Sequence, residues 1–342
     1  MTHTWSRRQT LLGMTAAAGA IAVPAWAANT TVKNSVAGIA VFYLTNYIAI
    51  DGGFFEKQGL DMDLIDVQSG PQQMAAVLGG SALISTIGLE QNMHADARGG
   101  SFVAICANFN AFPMSLTITR KAIAQNKIDL RAPWAETVQN LKGLRIGISG
   151  PGASTDQFIR TLLTLQNLNP DTEVHLLPVG PGANMLAAME AGSVDGFVWS
   201  APFNVEAVSK GLADIVVDPM KGTVPEFNDY VYLAVSTSRQ MLTSQRPLLV
   251  SIVRAYAAAM NFTHAQPDKA RDLIRHRFPN MSDAEYATVF AEYIGGVPKS
   301  PLIPQSYFDR TLSTLNLTAK PQLQVTYDQI VDTSIAREAM AS

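Results

Sequence analysis

The stretch 147–163, GISGPGASTDQFIRTLL, places a loop rich in glycine and serine directly before an amphipathic helical pattern. Loops of this kind bind anions, because the first N–H groups of a helix lack intrahelical acceptors and the helix dipole favours negative charge there. The stretch has no lysine, which excludes a Walker loop, and Thr155 stands where a dinucleotide fingerprint needs its third glycine. Two interpretations remain, namely a small site for an anion or other hydrogen-bond acceptor, and ordinary N-capping by Ser154 or Thr155.

The segments on either side of this loop alternate between short apolar runs and helical patterns, which is typical of an α/β fold. One series begins near residue 32, and a second begins with LRIGIS at 144–149. A further apolar run, DYVYLAVS at 229–236, precedes a mostly helical C-terminal region. The length suits two lobes. The chain crosses between them either once, giving consecutive domains, or twice, near residues 119 and 225, so that the C-terminal helices complete the first lobe.

The N-terminal residues predict export. The stretch 6–28, SRRQTLLGMTAAAGAIAVPAWAA, has paired arginines, an uncharged apolar run and a small-x-small cleavage site ending at Ala27. It resembles a twin-arginine signal, although Thr10 and Leu12 stand where that signal usually has Phe and Lys. The apolar run is short for a membrane anchor. We therefore expect a signal peptide over 1–27 and a mature protein in the periplasm.

Charge and cysteine content exclude further classes of protein. The chain has 25 basic and 28 acidic residues, a net charge of −3, and no basic cluster, so we expect no nucleic-acid partner. The single cysteine, Cys106, lies in the apolar run FVAICANF, which predicts a buried thiol and excludes a disulfide within the chain.

The sequence gives little support to catalysis, to a metal or to a cofactor. The five histidines include no pair at metal-ligand spacing. The serine in GISGPG is followed directly by glycine, so the Gly-x-Ser-x-Gly spacing of a nucleophile elbow is missing. We predict no catalytic residue, no bound metal and no cofactor.

Three stretches, in order along the chain, resemble one family. They are YIAIDGGFFEKQGLDM at 47–62, LKGLRIGISGPGAST at 141–155 and AAMEAGSVDGFVWSAPFNVEAVSKG at 187–211. Together they resemble the solute-binding proteins of ABC importers for nitrate, sulfonates, taurine and pyrimidine precursors. One departure is Leu83, where the family usually has Asp. A related pyrimidine-synthesising enzyme has a cysteine-rich iron motif, which a chain with one cysteine cannot carry.

The resemblance implies a type II periplasmic binding protein fold, in which two α/β lobes joined by two crossings close on a ligand. On this basis we expect lobe 1 to comprise 28–119 and 225–342, and lobe 2 to comprise 120–224. The predicted strand MSLTITR at 114–120 would then end the first part of lobe 1.

Ligands in open parallel sheets bind beyond the carboxyl ends of the strands, so we expect the ligand-binding residues there. Tyr47 is the foremost aromatic candidate, because the family places a ligand-facing ring at the start of that helix, and Trp199 is the next. The resemblance also implies that the glycine-serine loop grips the polar head of the ligand. The predicted ligand-binding residues are Tyr43, Asn46, Tyr47, Thr86, Gly88, Asn108, Phe109, Ser149, Gly152, Ser154, Thr155 and Trp199.

These observations predict a periplasmic substrate-binding protein that delivers a small molecule to the permease and ATPase of an ABC importer. The ligand would be a small anionic or polar organic solute, either sulfonate-like or taurine-like, an aromatic acid or pyrimidine-like. We expect a monomer without enzymatic activity. The alternatives are an exported enzyme on the same fold, using Asp51, Asp156 or Glu90 as an acid or base, and a receptor that feeds a sensor.

Overall fold

The structure, a computed structural model, describes residues 29–341. The predicted signal peptide over 1–27 lies outside the described residues. The strands are β1 (Thr30–Val36), β2 (Leu60–Asp66), β3 (Ile84–Gly88), β4 (Phe102–Phe109), β5 (Ser115–Thr119), β6 (Arg145–Ile148), β7 (His175–Pro178), β8 (Gly196–Trp199), β9 (Ala213–Val217) and β10 (Leu233–Ser238). The α-helices are α1 (Leu44–Asp51), α2 (Gly70–Leu78), α3 (Leu89–Asp96), α4 (Arg120–Gln125), α5 (Trp134–Gln139), α6 (Ser154–Leu165), α7 (Gly182–Glu190), α8 (Phe203–Ser209), α9 (Arg239–Ser244), α10 (Arg246–Ala265), α11 (Pro267–Leu273), α12 (Asp283–Tyr293), α13 (Gln305–Leu315), α14 (Tyr327–Ile330) and α15 (Thr333–Ala341).

The strands form two five-stranded sheets of the same plan. Their orders are β2-β1-β3-β10-β4 and β7-β6-β8-β5-β9. In each sheet, parallel strands are joined by one antiparallel strand, which is β10 between β3 and β4 in the first and β5 between β8 and β9 in the second. Each antiparallel strand follows a segment that crosses from the other lobe, at 110–114 and 218–232. The predicted two-lobed α/β fold with two crossings is confirmed.

The first crossing lies earlier than the sequence predicted. We expected it near residue 119, after the strand in MSLTITR, but this strand is β5 and belongs to the second sheet. Ser115 pairs with Trp199, and Ile118 with Gly196. The apolar pattern of β5 identifies a buried strand but carries no information on which sheet it joins, so the crossing at 110–114 could not be located from that pattern.

The C-terminal helices complete the first lobe. Helix α10 packs against α1, and α15 packs against both α10 and β4. A proline lies in the first turn of α10, where the missing N–H would have no intrahelical acceptor. Strand β4 is buried along its whole length and contains Cys106, whose thiol has a raised pKa because of burial. Within residues 29–341, no helix combines the length and the apolar character needed to cross a membrane.

An aromatic cluster joins the two crossings, and we call Phe112, Phe158, Phe227 and Tyr230 the hinge cluster. Phe112 lies on the first crossing, and its ring centroid is 4.2 Å from that of Phe227 and 5.2 Å from that of Tyr230, both on the second crossing. Phe158 of α6 adds a ring 5.3 Å from Phe112. The two connections between the lobes are therefore packed against each other and against the second lobe.

Candidate functional site

A cavity of about 20 Å³ lies between the lobes, at the carboxyl ends of strands from both sheets. Residues following β1 and β3 contribute from the first lobe, and residues following β6 and at the end of β8 contribute from the second. This volume holds roughly one water molecule. The lining residues are Ala37, Phe42, Tyr43, Gly70, Gln73, Gly88, Met114, Ser149, Ala153, Ser154, Thr155, Trp199, Tyr232 and Leu233.

The cavity brings together half of the predicted ligand-binding residues. Tyr43, Gly88, Ser149, Ser154, Thr155 and Trp199 line it. The other six are placed outside its lining: Asn46 and Tyr47 in α1, Thr86 in β3, Asn108 and Phe109 at the end of β4, and Gly152 in the loop before α6. Sequence reasoning missed Gln73 and Tyr232, which reach the cavity from α2 and from the segment before β10.

Three of the predicted residues form a buried polar network inside the first lobe. The Asn46 Oδ1 atom accepts hydrogen bonds from the Thr86 hydroxyl, at 3.2 Å, and from Asn108 Nδ2, at 3.1 Å. Asn34 donates to the Thr86 hydroxyl at 2.9 Å and to the Tyr256 hydroxyl at 3.1 Å. The amide and hydroxyl side chains are fully buried and join β1, β3, β4, α1 and α10. Their position fits a structural role in the lobe rather than direct contact with a ligand in the cavity.

Tyr47 and Phe109 pack inside the first lobe. The Tyr47 ring lies 6.4 Å from Tyr43 and is covered by the Arg277 guanidinium, 4.7 Å from the ring centroid. Arg277 makes a bidentate ion pair with Asp51, at 2.5 and 2.6 Å, so this arginine is held over the ring. Phe109 packs against Tyr293 at 6.0 Å. Tyr47 therefore stands behind Tyr43, which is the ring that reaches the cavity.

The glycine-serine loop uses several of its donors internally. The Ser149 N–H donates to the Thr155 hydroxyl at 3.0 Å, and the Gly152 N–H donates to the Asp156 carboxylate at 2.8 Å. Helix α6 begins at Ser154 with Ala153 as its N-cap and without a side-chain cap, so N-capping by Ser154 or Thr155 is wrong. The N–H groups of its first turn lack intrahelical acceptors.

The Ser154 hydroxyl donates to the Glu90 carboxylate, which joins the start of α6 in lobe 2 to the start of α3 in lobe 1. Glu90 is 2% exposed. Its Oε1 atom accepts from Ser154, whereas Oε2 has no hydrogen-bond partner among the described residues. The carboxylate also lies against Gly88, where a Cβ atom would be only 2.1 Å from Oε1. The N-termini of α3 and α6 therefore both lie at the buried Glu90 carboxylate.

Burial is the main cause of a raised pKa for Glu90, and hydrogen bonds, chiefly from Ser154, oppose this effect. The nearby hydroxyls of Tyr230 and Tyr232 also have raised pKa values, first because of burial and then because of Glu90. The sequence contained a signal for Glu90, since an acidic residue two positions beyond a strand end can face the cleft. From the sequence alone, Glu90 is predicted only as an acid or base of the alternative enzyme.

We predict that Glu90→Gln becomes more stable relative to the wild type as the pH rises from about 4 to 8. The folded protein raises the pKa of the carboxyl, so its contribution to stability is present below the unfolded pKa and is lost as the pH rises through the folded pKa. Gln does not titrate. Melting temperatures of both proteins across this pH range measure the effect, and His94, whose pKa burial lowers, titrates in both and cancels in the difference.

The control is Glu136→Gln, which removes an exposed carboxylate from the first turn of α5. Because Glu136 is exposed, this variant should differ little from the wild type in melting temperature. A difference between Glu90→Gln and the wild type that stays constant with pH would contradict the prediction.

Other contacts also link the lobes around the cavity. The Val41 N–H donates to the Ala201 carbonyl at 2.9 Å, and Gln91 Nε2 donates to the Gly152 carbonyl at 3.0 Å. Among residues 29–341, no cluster of three or more His, Cys, Asp or Glu side chains is arranged to hold a metal ion.

Comparisons with known proteins agree with this architecture. The model of the NMT1-like family matches residues 40–276. The nitrate/nitrite binding protein NrtA of Nostoc sp. is 27% identical over 183 residues, which cover 48% of this chain and 39% of that protein. The chain thus matches less than half the length of this relative.

Two solved structures are similar over nearly the whole fold. A protein of Bordetella bronchiseptica RB50 superimposes with a TM-score of 0.78 at 22% identity, covering 92% of this chain and 98% of that one. The alkanesulfonate-binding protein SsuA of Xanthomonas axonopodis pv. citri, bound to MOPS, gives a TM-score of 0.66 at 17% identity, covering 91% and 97%. At these identities, the similarity establishes the fold.

Proposed function

The chain belongs to the NMT1-like family, and from that premise we propose that it is the periplasmic solute-binding protein of an ABC importer. The proposal rests on the cavity between the two lobes, which is lined by residues at the strand ends of both sheets. Two crossings connect these lobes. Such a site can bind a small solute only by moving the lobes apart and closing them again. A solute that contacts both lobes stabilises the closed arrangement, which is the form that a permease recognises.

The lobes must separate for an organic solute to enter. Ligand pockets for such molecules have volumes of about 300–1,000 Å³, far more than the cavity of about 20 Å³ between the closed lobes. The contacts that must break include the hydrogen bonds from Val41 to Ala201 and from Gln91 to Gly152 and the ring contact between Phe42 and Trp199. Phe112, Phe227 and Tyr230 of the hinge cluster can stay packed against one another while the lobes rotate, because these three residues lie on the crossings.

We propose a small anionic or polar organic solute as the cargo, bound by Ser149, Ser154, Thr155 and the rings of Tyr43 and Trp199. The relatives bind nitrate, nitrite or alkanesulfonates according to their names, which supports a small polar molecule. The partners would be a permease and an ATPase. We further propose export by the twin-arginine route, a monomeric state, and binding without turnover, metal or cofactor.

The test is a thermal-shift screen with alkyl and aryl sulfonates, taurine, nitrate, aromatic carboxylates and pyrimidines. We expect one chemical class to raise the melting temperature, since a ligand at 100 times its dissociation constant adds about 2.7 kcal/mol to stability. The ligand should be recovered unchanged. Consumption of the ligand would favour an enzyme, and the absence of any stabilising solute would contradict the proposal.

A matched pair of variants locates the binding site. Trp199→Ala removes a ring from the cavity and should weaken binding at least about tenfold. Trp134→Ala removes a half-buried ring from α5 that does not line the cavity, and it should leave the affinity unchanged. Titration of both variants with the ligand found in the screen measures the difference.

A further inference from the structure

The Glu90 carboxylate occupies the acceptor position that an anionic ligand would need at the start of α6. The Ser154 hydroxyl, which we expected to grip the head of the ligand, donates to this carboxylate instead. Glu90 comes from the first lobe and Ser154 from the second, so the contact forms only when the lobes approach each other. An anion at this point would have to displace Glu90 or lie beside it.

Among residues 29–341, no cationic side chain lines this part of the cleft. Glu90 lines a second cavity of about 10 Å³, together with the hinge cluster, Ser154, Gln157, Thr161, Thr314 and Leu315. Its carboxylate also contacts Ser154 and Gly88, which line the main cavity. Neither cavity has Lys, Arg or His in its lining. A ligand anion beside Glu90 would therefore bring a second negative charge into a buried site without a counter-ion, which is strongly unfavourable.

Two buried polar atoms next to the cavity lack partners among the described residues. One is Glu90 Oε2, which can accept a hydrogen bond, and the other is Trp199 Nε1, which can donate one. Both side chains are at most 2% exposed. Buried polar groups are almost always satisfied, because leaving one unpaired costs a large part of its hydration free energy. A ligand N–H donor satisfies the Glu90 atom, whereas Trp199 Nε1 lies against Gly182 of α7, where a Cβ atom would be 2.4 Å from it.

The remaining surface of the cavity favours a flat or cationic group. The rings of Phe42 and Trp199 lie 6.3 Å apart, and those of Phe42 and Tyr232 lie 5.2 Å apart. Aromatic faces attract cations and stack on planar groups.

We propose that Glu90 determines the specificity of the cleft, selecting solutes with a nitrogen-based N–H donor, such as an amidine, amine or amino-heterocycle, over sulfonates, carboxylates and nitrate. This inference rests on the proposed receptor function and narrows its ligand class. The donor nitrogen binds the free oxygen of the carboxylate. Closure then brings the Ser154 hydroxyl onto the other carboxylate oxygen, so that the lobes close only over a ligand that Glu90 accepts.

The experiment compares ions of equal shape and opposite charge. Guanidinium is paired with nitrate, and benzamidinium with benzoate, and each is titrated at pH 8 by thermal shift and by Trp199 fluorescence. The wild type is expected to bind the cation of at least one pair about tenfold or more tightly than the matching anion, as hydrogen bonds to charged groups predict. Glu90→Gln keeps the shape of the side chain and should abolish this preference.

Two variants serve as controls. Ser154→Ala removes the donor to Glu90 but leaves its charge, so the preference for the cation should persist even if both affinities fall. Glu136→Gln removes an exposed carboxylate and should change nothing.

Tighter binding of the anions by the wild type would overturn the inference while leaving the receptor function intact. Anion binding that strengthens as the pH falls would overturn it too, because a neutral carboxylic acid would then be donating to the anion. If neither pair binds, the wider screen decides: binding of a solute without an N–H donor overturns the inference, and binding of an aminopyrimidine that Glu90→Gln abolishes supports it. If no solute binds at all, the receptor function fails with it.

Discussion

Replacing Phe112 by alanine is expected to lower the free energy of unfolding by about 3–4 kcal/mol, the usual cost of truncating a buried phenylalanine. Phe112 is 4% exposed and lies at the centre of the hinge cluster. It lies on the first crossing and contacts rings of the second crossing and of α6, so its removal leaves a cavity where three elements meet. Urea denaturation followed by circular dichroism measures the loss.

The position of this ring predicts a second effect, on the movement of the lobes. Phe308→Ala is the matched control, since Phe308 is 1% exposed in the first lobe, where it packs against Tyr327 at 5.4 Å. Both variants should lose similar stability. Only Phe112→Ala should also change the radius of gyration measured by X-ray scattering, because only Phe112 lies on a crossing. A loss below about 1 kcal/mol for Phe112→Ala would show that the hinge cluster contributes little.

The fold could be predicted from sequence because the alternation of apolar runs and helical patterns is strong in both lobes. The bounds of single elements were harder to predict. The run NSVAGIAVFY at 34–43 suggests one continuous strand, yet β1 ends at Val36 and a 3-10 helix follows at Val41–Tyr43. Gly38 lies between them with φ of +72°, a left-handed conformation that ends the strand and that glycine adopts without strain.

The expectation that ligand-binding residues lie beyond the carboxyl ends of the strands located the cleft. It could not distinguish the residues that line the cleft from the core residues beneath them. Strand β3 is buried at every residue, so its sequence has no polar alternation to show which side chains face the cleft. Thr86 points into the lobe and Gly88 reaches the cavity, two positions further along the same strand. The two residues differ in their surroundings, because α1 and α10 cover the strand at Thr86 and the second lobe covers it at Gly88.

Glu90 shows a different limit of the sequence. Its residue type suggests solvent exposure or acid–base chemistry, whereas its burial depends on a contact from Ser154, 64 positions away. A contact between lobes depends on how far they close, and no local pattern encodes that distance. Residues of the stretch 147–163 line the cavity between the lobes, while the group that Ser154 binds could be found only in three dimensions.

Asn34→Ala is expected to lower the free energy of unfolding by about 3 kcal/mol, because it leaves buried polar atoms without partners. Asn34 donates to two hydroxyls, those of Thr86 and Tyr256, and its Oδ1 atom accepts from the Thr86 N–H at 2.8 Å. Three hydrogen bonds are lost together, and the Thr86 N–H remains buried. Urea denaturation of the variant and the wild type measures the loss.

Tyr256→Phe is the matched control, since it removes one hydroxyl from the same network and should cost only about 1 kcal/mol. Asn34 would still bond to Thr86 in that variant. If the network is structural, as its burial indicates, both variants should bind ligand with nearly wild-type affinity while they remain folded. A large loss of affinity with little loss of stability would instead mean that Asn46, Thr86 and Asn108 reach the ligand when the lobes open, as their positions in the sequence predict. A loss of stability that exceeds the loss of affinity therefore identifies the network as a supporting layer. The reverse result identifies it as a binding surface.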